Sequence, residues 1–408
     1  MTVAYGFLSC LIPEALEDSA AVRSDKGMQA AANALQWHLY NGLCRNLQQE
    51  IRLFNVLPVG SFPQYNSRPV IPQQSFATDY CKDNVNVGHC NVKFLRKLLL
   101  PRRIYGILRH WCTKTPGQKL LFVYTLSAEF MTAVSGIKER FPELRVCAIV
   151  ADLPGMTNLS SRRSVAARLF DRYRAGRTAR RLASIDAFSL LTEQMAQYLK
   201  LTQPYCVIEG IADDTERSAC PKQKDGLKRI LYTGTLHSRF GVPLLLLAFA
   251  LLKDPDYRLI LCGTGDSTEL VQTAARMDDR IQFLGKLPRE KVLELQHEAA
   301  VLVNPRQNTE EFAKYSFPSK NLEYLASGTP VIAYKLDGIP AEYDRLIHYV
   351  PDCSPESLAE MIVSVCDRDK MAAMERANAA AEFVRKEKNE LVQTKKIVCF
   401  LKEHGLIP

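Results

Sequence analysis

The 408-residue sequence contains no long hydrophobic run. None of its apolar stretches reaches the roughly 18 residues that a membrane-spanning helix needs, so we expect no transmembrane segment. The start of the chain has no basic residues ahead of its apolar stretch and becomes acidic at Glu14, unlike a secretory signal peptide. We therefore expect a cytoplasmic protein in which Val3–Cys10 form a first buried strand.

The cysteine patterns of metal sites and disulfide scaffolds are also missing. The 12 cysteines are scattered from Cys10 to Cys399, with no CxxC pair and no cluster of His and Cys. Structural zinc sites and disulfide-rich domains depend on such spacing, so we expect neither. Most of the cysteines are best interpreted as small buried hydrophobic residues in a reducing compartment.

No known nucleic-acid-binding motif accompanies the net charge of +9, so we expect no nucleic-acid partner. Much of the excess charge lies in two segments, residues 93–109 (KFLRKLLLPRRIYGILR) and 162–181 (RRSVAARLFDRYRAGRTARR). Both mix basic and large apolar residues at helical spacing, which is typical of a cationic helix on an anionic membrane surface. A solvated helix face whose arginines pair with acidic residues explains the pattern equally well.

The length predicts two domains of roughly 200 residues each. Short apolar runs alternate with helical stretches in both halves, which indicates an α/β fold with parallel sheets. In the first half the predicted strands are Val3–Cys10, Ile51–Val56, Leu120–Tyr124, Val146–Val150, Ala187–Leu191 and Cys206–Ile208. In the second half they are Arg229–Thr233, Arg258–Cys262, Ile281–Leu284, Ala300–Val303 and Pro330–Tyr334.

Residues between these runs complete the predicted organisation. Residues 57–92 are rich in Pro, Gln, Asn and Ser, and we interpret them as an irregular surface excursion. The polar segment 214–227 reads as a linker, which places the domains at 1–213 and 228–385. Residues 386–408 are predicted to form a charged amphipathic helix.

One stretch, residues 315–334 (YSFPSKNLEYLASGTPVIAY), combines a loop, a short helix and a strand. A helix that starts at Pro318-Ser319 presents unpaired N–H groups and a positive dipole end, which suit a phosphate. Lys320 adds a cation, and Glu323, one turn further on, adds a carboxylate that can bind a diol. These groups suit a nucleotide sugar, although loop–helix–strand units are common in α/β proteins without any ligand.

The segment FPSKNLEYLASGTPVIA resembles the donor-site signature of the retaining, family-four glycosyltransferases (glycosyl transferases group 1) of the GT-B fold. The resemblance is close over residues 229–345 and loose over the first half. It implies two Rossmann-like domains facing across a cleft, the first binding an acceptor and the second a nucleotide-diphosphate sugar, UDP- or GDP-linked. It also implies that Glu323 binds the ribose and that the last helix crosses back to the first domain.

The resemblance implies further sugar-donor contacts, with two departures from the usual pattern. Glycines that end successive strands would let the nucleotide approach the backbone; they are Gly234, Gly263, Gly265 and Gly285. The usual Gly-Arg is Gly234-Thr235 here, so we expect Arg239 to contact the diphosphate together with Lys320 and the Ser319 backbone. Tyr315 stands where the Glu-x7-Glu motif has its first glutamate. Glu310 or Glu311 could replace that glutamate, or lie in a solvated loop.

No metal-binding DxD motif ends a predicted strand. Asp254-Pro255-Asp256 has the letters but precedes a strand and is interpreted as a turn. GT-B enzymes use cations and helix N-termini in place of a metal, so we expect metal-independent transfer. Asp152 follows a strand at the carboxyl edge of the first sheet and either faces the acceptor or caps the next turn. Glu311 and Asp152 are the catalytic candidates.

The sequence thus predicts a cytoplasmic, metal-independent glycosyltransferase of hexosyltransferase type that acts with retention and needs no cofactor. Its acceptor would be a glycan or a polyprenyl-linked glycan in surface or exopolysaccharide biosynthesis. If the basic segments bind lipid, the protein would be peripheral on the inner face of the cell membrane. Two alternatives remain: a nucleotide-sugar epimerase of GT-B architecture, and a non-catalytic nucleotide-sugar-binding partner, which the two departures favour.

Overall fold

The computed structural model describes residues 3–17, 30–153, 181–212, 225–309 and 311–408. The chain divides into two compact units, Met1–Ile211 with Glu390–Pro408, and Ala212–Asn389. Most of the predicted linker, and the second basic segment apart from Arg181, lie outside the described residues.

The first unit is organised around a mostly parallel sheet. Its described strands are β1 (Val3–Ser9), β2 (Ile51–Asn55), β3 (Val70–Ile71), β4 (Gln74–Phe76), β5 (Asn84–Asn86), β6 (His89–Cys90), β7 (Gln118–Tyr124), β8 (Arg145–Val150), β9 (Ala187–Leu190) and β10 (Tyr205–Val207). Eight of these described strands form one sheet in the order β10-β9-β8-β7-β1-β2-β5-β4, in which only β4 pairs antiparallel. The six predicted strands of this half are confirmed to within two residues at each end.

Residues 57–92 are more regular than predicted, because β4 and β5 extend the edge of this sheet. Asparagine side chains hold the edge in place of an apolar pattern. Asn84 Oδ1 accepts a hydrogen bond from the Leu53 N–H at 2.9 Å, and Asn86 Oδ1 accepts from Asn55 Nδ2 at 3.3 Å, so both join β5 to β2. The prediction of an irregular excursion was therefore wrong for these strands.

Helices cover the first sheet and one of them comes from the end of the chain. They are Ala30–Leu47, Lys93–Lys114, Ala128–Arg140, Glu193–Leu199 and Glu390–Glu403, with a 3-10 turn at Glu14–Leu16. The last helix packs against Ala30–Leu47, where Asn46 Nδ2 donates to Thr394 Oγ1 at 2.8 Å. None of the helices in the described ranges is both long and apolar enough to cross a membrane.

The prediction of a single helix over residues 386–408 was wrong about where the helix begins. Residues 386 and 387 end the preceding helix Lys370–Glu387, and a new helix begins at Glu390. The break follows from contacts of Lys388: its carbonyl accepts from the Ala212 N–H at 2.8 Å, and its buried ammonium lies 2.6 Å from Glu342 Oε1. These tertiary contacts outweigh the local helical pattern.

The second unit contains a fully parallel sheet. Its described strands are β11 (Lys228–Thr233), β12 (Tyr257–Cys262), β13 (Ile281–Gly285), β14 (Val301–Asn304), β15 (Val331–Ala333) and β16 (His348–Tyr349). They lie in the order β13-β12-β11-β14-β15-β16, so the chain winds outwards from β11 in one direction and from β14 in the other. The gap between the carboxyl ends of β11 and β14 is therefore the switch point, where doubly wound sheets bind their ligands.

The helices of this unit are Val242–Leu251, Thr268–Met277, Arg289–Glu298, Ser319–Ala326, Pro355–Val363 and Lys370–Glu387. Shorter turns lie at Ser238–Phe240, Glu311–Tyr315, Ala341–Tyr343 and Ser364–Arg368. All five predicted strands of this half are confirmed to within one residue, and the helix predicted to start at Pro318-Ser319 begins at Ser319.

Candidate functional site

The loops at the carboxyl edge of the second sheet are tied together through their glycines. The Gly234 N–H donates to the Cys262 carbonyl at 2.9 Å, and the Gly263 N–H donates to the Gly285 carbonyl at 2.7 Å. The loops after β11, β12 and β13 therefore form one continuous surface beside the switch point. The sequence-predicted Gly234, Gly263, Gly265 and Gly285 are brought together here.

Two of these glycines are required by close approach between loops. A Cβ on Gly263, whose φ is +138°, would overlap the carbonyl oxygen of Gly234, and a Cβ on Gly265 would overlap that of Leu236. Any other residue would push the loops after β11 and β12 apart. Packing alone thus explains these two glycines, whereas Gly285 has open space at its Cβ position.

Helix Ser319–Ala326 is fixed to the ends of the two central strands. The buried Tyr324 hydroxyl accepts from the Thr233 N–H at 2.8 Å and donates to the Thr233 carbonyl at 3.1 Å. Asn304 Nδ2, at the end of β14, donates to Asn321 Oδ1 at 2.7 Å. The helix N-terminus is thereby held at the switch point.

The start of this helix is open to a ligand. Pro318 occupies the cap position and makes no side-chain cap hydrogen bond, and Ser319 is exposed. The Lys320 Cε lies 3.6 Å from the position that a Cβ on Gly234 would take, so the lysine runs along the β11 loop. An uncapped helix N-terminus beside a lysine is a favourable place for a phosphate.

Glu323 lies at the centre of a charged, largely buried network. Its Oε1 accepts from Lys320 Nζ at 2.8 Å and from Gln296 Nε2 at 2.5 Å, and its Oε2 lies 3.8 Å from the Arg289 guanidinium. Burial acts to raise the pKa of this carboxyl, but the charge and hydrogen bond of Lys320, with Gln296 and Arg289, bring the pKa below its ordinary value. The carboxylate is therefore held ionised.

Gln296 is a site residue that sequence reasoning missed. It lies on helix Arg289–Glu298, is fully buried, and its Nε2 also reaches Thr233 Oγ1 at 3.4 Å. Its Oε1 has no hydrogen-bond partner among the described residues. In the sequence it is one polar residue of a charged stretch (REKVLELQHE), which gives no sign of its burial.

Arg239 lies on the short turn Ser238–Phe240, after β11. Its guanidinium lies 4.9 Å from the centre of the Phe312 ring, a cation–π contact between the turn and the segment Glu311–Tyr315. The turn itself is held by Asp266, whose Oδ1 accepts from the Ser238 N–H at 2.8 Å. Arg239 thus belongs to the same unit and sheet edge as Lys320.

The predicted catalytic residues are Asp152 and Glu311. Asp152 follows β8 in the first unit and is exposed. Glu310 and the side chain of Glu311 lie outside the described residues. Tyr315 ends the turn Glu311–Tyr315 and is partly buried.

The Asp254-Pro255-Asp256 segment forms a turn. Asp254 Oδ2 lies 2.7 Å from Lys228 Nζ, and its Oδ1 accepts from the Asp256 N–H at 2.9 Å. Both oxygens of Asp254 thus have partners within the turn and on β11. In the described ranges, no group of three or more His, Cys, Asp or Glu is arranged to hold a metal ion.

The second unit is similar in sequence to known glycosyltransferases. Residues 227–368 match the family described as glycosyl transferases group 1. The D-inositol 3-phosphate glycosyltransferase of Corynebacterium glutamicum is 29% identical over 157 residues, covering 35% of this chain and 36% of the relative. The phosphatidyl-myo-inositol mannosyltransferase of Mycobacterium tuberculosis is 27% identical over 171 residues, covering 40% and 43%. The chain thus spans less than half the length of these curated relatives.

Solved structures match both units at low sequence identity. Sucrose-phosphate synthase from Thermosynechococcus elongatus is 16% identical and gives a TM-score of 0.65, covering 98% of this chain and 99% of the other. The E. coli trehalose-6-phosphate structure bound with UDP-2-fluoro glucose is 10% identical and gives 0.66, with the same coverage. The chain has the GT-B fold. The fold class predicted from the sequence is confirmed, and the glycine-linked loops and helix Ser319–Ala326 lie in the second sheet unit of this GT-B chain.

Proposed function

We propose that the protein transfers a sugar from a nucleotide-diphosphate sugar, bound by the second unit, to an acceptor. The observation that carries this proposal is the pairing of Lys320 and Glu323 at an uncapped helix N-terminus, at the switch point of the sheet. The match to glycosyl transferases group 1 and the glycosyltransferase names of the curated relatives support it. The bound UDP-2-fluoro glucose in one structural neighbour supports a UDP-type sugar donor.

In this proposal the diphosphate lies against the N-terminus of helix Ser319–Ala326. The Ser319 backbone, Lys320 and Arg239 neutralise its charge, which is the chemistry needed to stabilise a departing nucleoside diphosphate. Glu323 accepts hydrogen bonds from the ribose hydroxyls. These residues carry out donor binding without a metal, and transfer proceeds with retention at the anomeric carbon.

Glu311 and Asp152 are proposed to act on the transferred sugar and the acceptor. Substituting Asp152→Asn or Glu311→Ala should lower the turnover number while leaving the affinity for the nucleoside diphosphate unchanged. Equal turnover in both variants and in the wild-type protein would remove these two residues from the mechanism.

We further propose that the acceptor is a glycan on a lipid carrier, as in surface or exopolysaccharide biosynthesis. The basic helix (Lys93–Lys114) exposes apolar side chains at its start: Phe94 is 79% exposed and Leu98 is 57% exposed. Its cations Lys93, Lys97, Arg102 and Arg103 form no ion pair with any carboxylate in the described part of the chain. Unpaired cations around exposed apolar groups favour an anionic membrane over a solvated, paired helix face.

The proposed sugar transfer is tested by binding and turnover on the full chain. Calorimetry with UDP, GDP and their hexose conjugates should identify one nucleotide that binds. The Glu323→Gln variant should have a lower affinity for that nucleotide. Glu269→Gln, an exposed substitution in the same unit, is the matched control. The bound sugar nucleotide should then be consumed only when an acceptor is added.

Three results would contradict the proposal in different ways. Binding of none of these nucleotides would remove the sugar donor. Conversion of the sugar nucleotide to a stereoisomer without an acceptor would indicate an epimerase. Binding without turnover on any acceptor would indicate a non-catalytic partner, which the tyrosine at position 315 favours.

A further inference from the structure

Arg306 is a cation enclosed by two aromatic rings beyond the end of β14. Its guanidinium carbon lies 5.3 Å from the centre of the Phe240 ring and 4.6 Å from that of Phe312. Its Nη2 donates to Ser316 Oγ at 2.7 Å, in the segment that leads into helix Ser319–Ala326. Arg306 therefore joins the β11 loop, the β14 loop and the start of that helix.

The charge of Arg306 is not neutralised in the described structure. Its Nε is buried without a hydrogen-bond partner, and none of the described carboxylates pairs with it. Burial lowers the pKa of its guanidinium to about 10, so the group still carries its charge at neutral pH. An enclosed cation without a counter-ion is costly, because aromatic faces offset only part of the lost hydration.

The location of Arg306 indicates what kind of ligand would neutralise its charge. The gap between the ends of β11 and β14 is the switch point of the sheet, and Arg306 lies two residues beyond β14. A Cβ on Gly241 would overlap the Pro305 carbonyl, so the β14 loop lies directly against the loop after β11. Directly after Gly234 that β11 loop carries Thr235, and its arginine, Arg239, comes four residues later.

We propose that Arg306 is a sugar-donor-binding residue whose guanidinium pairs with the phosphoryl oxygens of the nucleoside diphosphate. This inference rests on the proposed function and adds to it a residue that the sequence signature does not contain. The planar guanidinium suits phosphoryl oxygens because its N–H groups form a fork of fixed geometry. Phe240 and Phe312 hold that fork in place before the ligand arrives.

The test is a comparison of ligands that differ only in phosphate. UDP, GDP, uridine and guanosine are titrated by calorimetry into the full-length wild-type protein, R306A, R306K and R276A. Arg276 is exposed on helix Thr268–Met277 and serves as the matched control. Thermal melting of each variant checks that it is folded.

For the nucleoside diphosphate that the wild-type protein binds, R306A should lose about tenfold in affinity or more, because a charge-assisted contact is removed. The affinity for the corresponding nucleoside should stay the same. R306K keeps the charge but lacks the planar guanidinium, so its affinity for the diphosphate should lie between those of R306A and the wild-type protein. The affinity of R276A should equal that of the wild-type protein. If R306A does not fold, the same phosphate-dependent loss in R306K supports the proposal.

The remaining outcomes overturn it. Unchanged diphosphate affinity in R306A, or in R306K where only that variant folds, would overturn the role of Arg306 alone. An equal loss for diphosphate and nucleoside would mean that Arg306 only supports the loop. If the wild-type protein binds neither diphosphate, the proposed function fails and the role of Arg306 fails with it.

Discussion

Lys320 Nζ lies 2.8 Å from Glu323 Oε1, one turn further along helix Ser319–Ala326. Gln296 Nε2 donates to the same oxygen at 2.5 Å, so two donors fix one side of the carboxylate. Glu323 keeps 19% of its side chain exposed and Lys320 36%. The pair is thus held in position by the fold and is still accessible to a ligand, as a preorganised binding site requires.

Substitution of Glu323 should weaken binding of both the nucleotide and the bare nucleoside. Glu323→Ala removes charge-assisted hydrogen bonds to the ribose, and the expected loss is about 1–3 kcal/mol for each ligand. Calorimetry with UDP, GDP and their nucleosides measures it, with Glu269→Gln as the control. Wild-type affinity in Glu323→Ala would show that the ribose binds elsewhere.

Substitution of Lys320 should give a different pattern. Lys320→Ala removes a cation beside the helix N-terminus. It should therefore lower the affinity for the nucleoside diphosphate by about tenfold or more and leave the affinity for the nucleoside unchanged. The same titrations distinguish the two variants. A parallel loss for both ligands would mean that Lys320 acts mainly by holding Glu323.

The lowered pKa of Glu323 predicts a specific dependence of stability on pH. Because the folded state holds this carboxyl ionised below its ordinary pKa of 4.5, the unfolded state binds the proton more readily. The stabilisation is complete above that pKa and is lost as the pH falls through the lower value of the folded state. The Glu323→Gln variant lacks this pH-dependent stabilisation.

The measurement is the free energy of unfolding of the wild-type protein and Glu323→Gln in urea, over a series of pH values. The difference between them should be constant from neutral pH down to about pH 5 and should shrink below it. A difference that grows as the pH falls would mean that the Glu323 carboxyl is protonated more easily in the folded protein.

The sequence was a good guide to the second unit because four of its described strands, β11, β12, β14 and β15, are largely buried on both faces. Such strands are continuous apolar runs, as in β11 and β12, and both of these are followed directly by a glycine. The last two strands of the first sheet, β5 and β4, were missed because each is only three residues long. The strand β5 also depends on asparagine side chains, which produce no periodic pattern.

The candidate site also combines contacts that the sequence revealed with contacts that it did not. The contact between Lys320 and Glu323 could be predicted because the two residues are three apart on one helix, a spacing that the sequence shows directly. Gln296 binds Glu323 from 27 residues away, and Arg306 approaches from the β14 loop. Contacts between separate elements depend on tertiary packing, so a single sequence did not reveal them.

The exposed start of the basic helix predicts binding to anionic vesicles. Phe94→Ser with Leu98→Ser removes two apolar groups that are exposed in the folded protein, so the fold should be kept while the bound fraction falls. Co-sedimentation with vesicles of phosphatidylcholine and phosphatidylglycerol measures that fraction. The double substitution Leu247→Ser with Leu270→Ser removes exposed apolar groups of the second unit and is the control.

Salt separates the two contributions to this binding. Lys97→Gln with Arg102→Gln should abolish the preference for anionic over neutral vesicles, and raising the salt concentration should do the same, because exposed charges are screened over about 10 Å at 0.1 M. Wild-type protein that ignores both kinds of vesicle would contradict a membrane role for this helix. Transfer to a lipid-linked acceptor would then have to proceed without it.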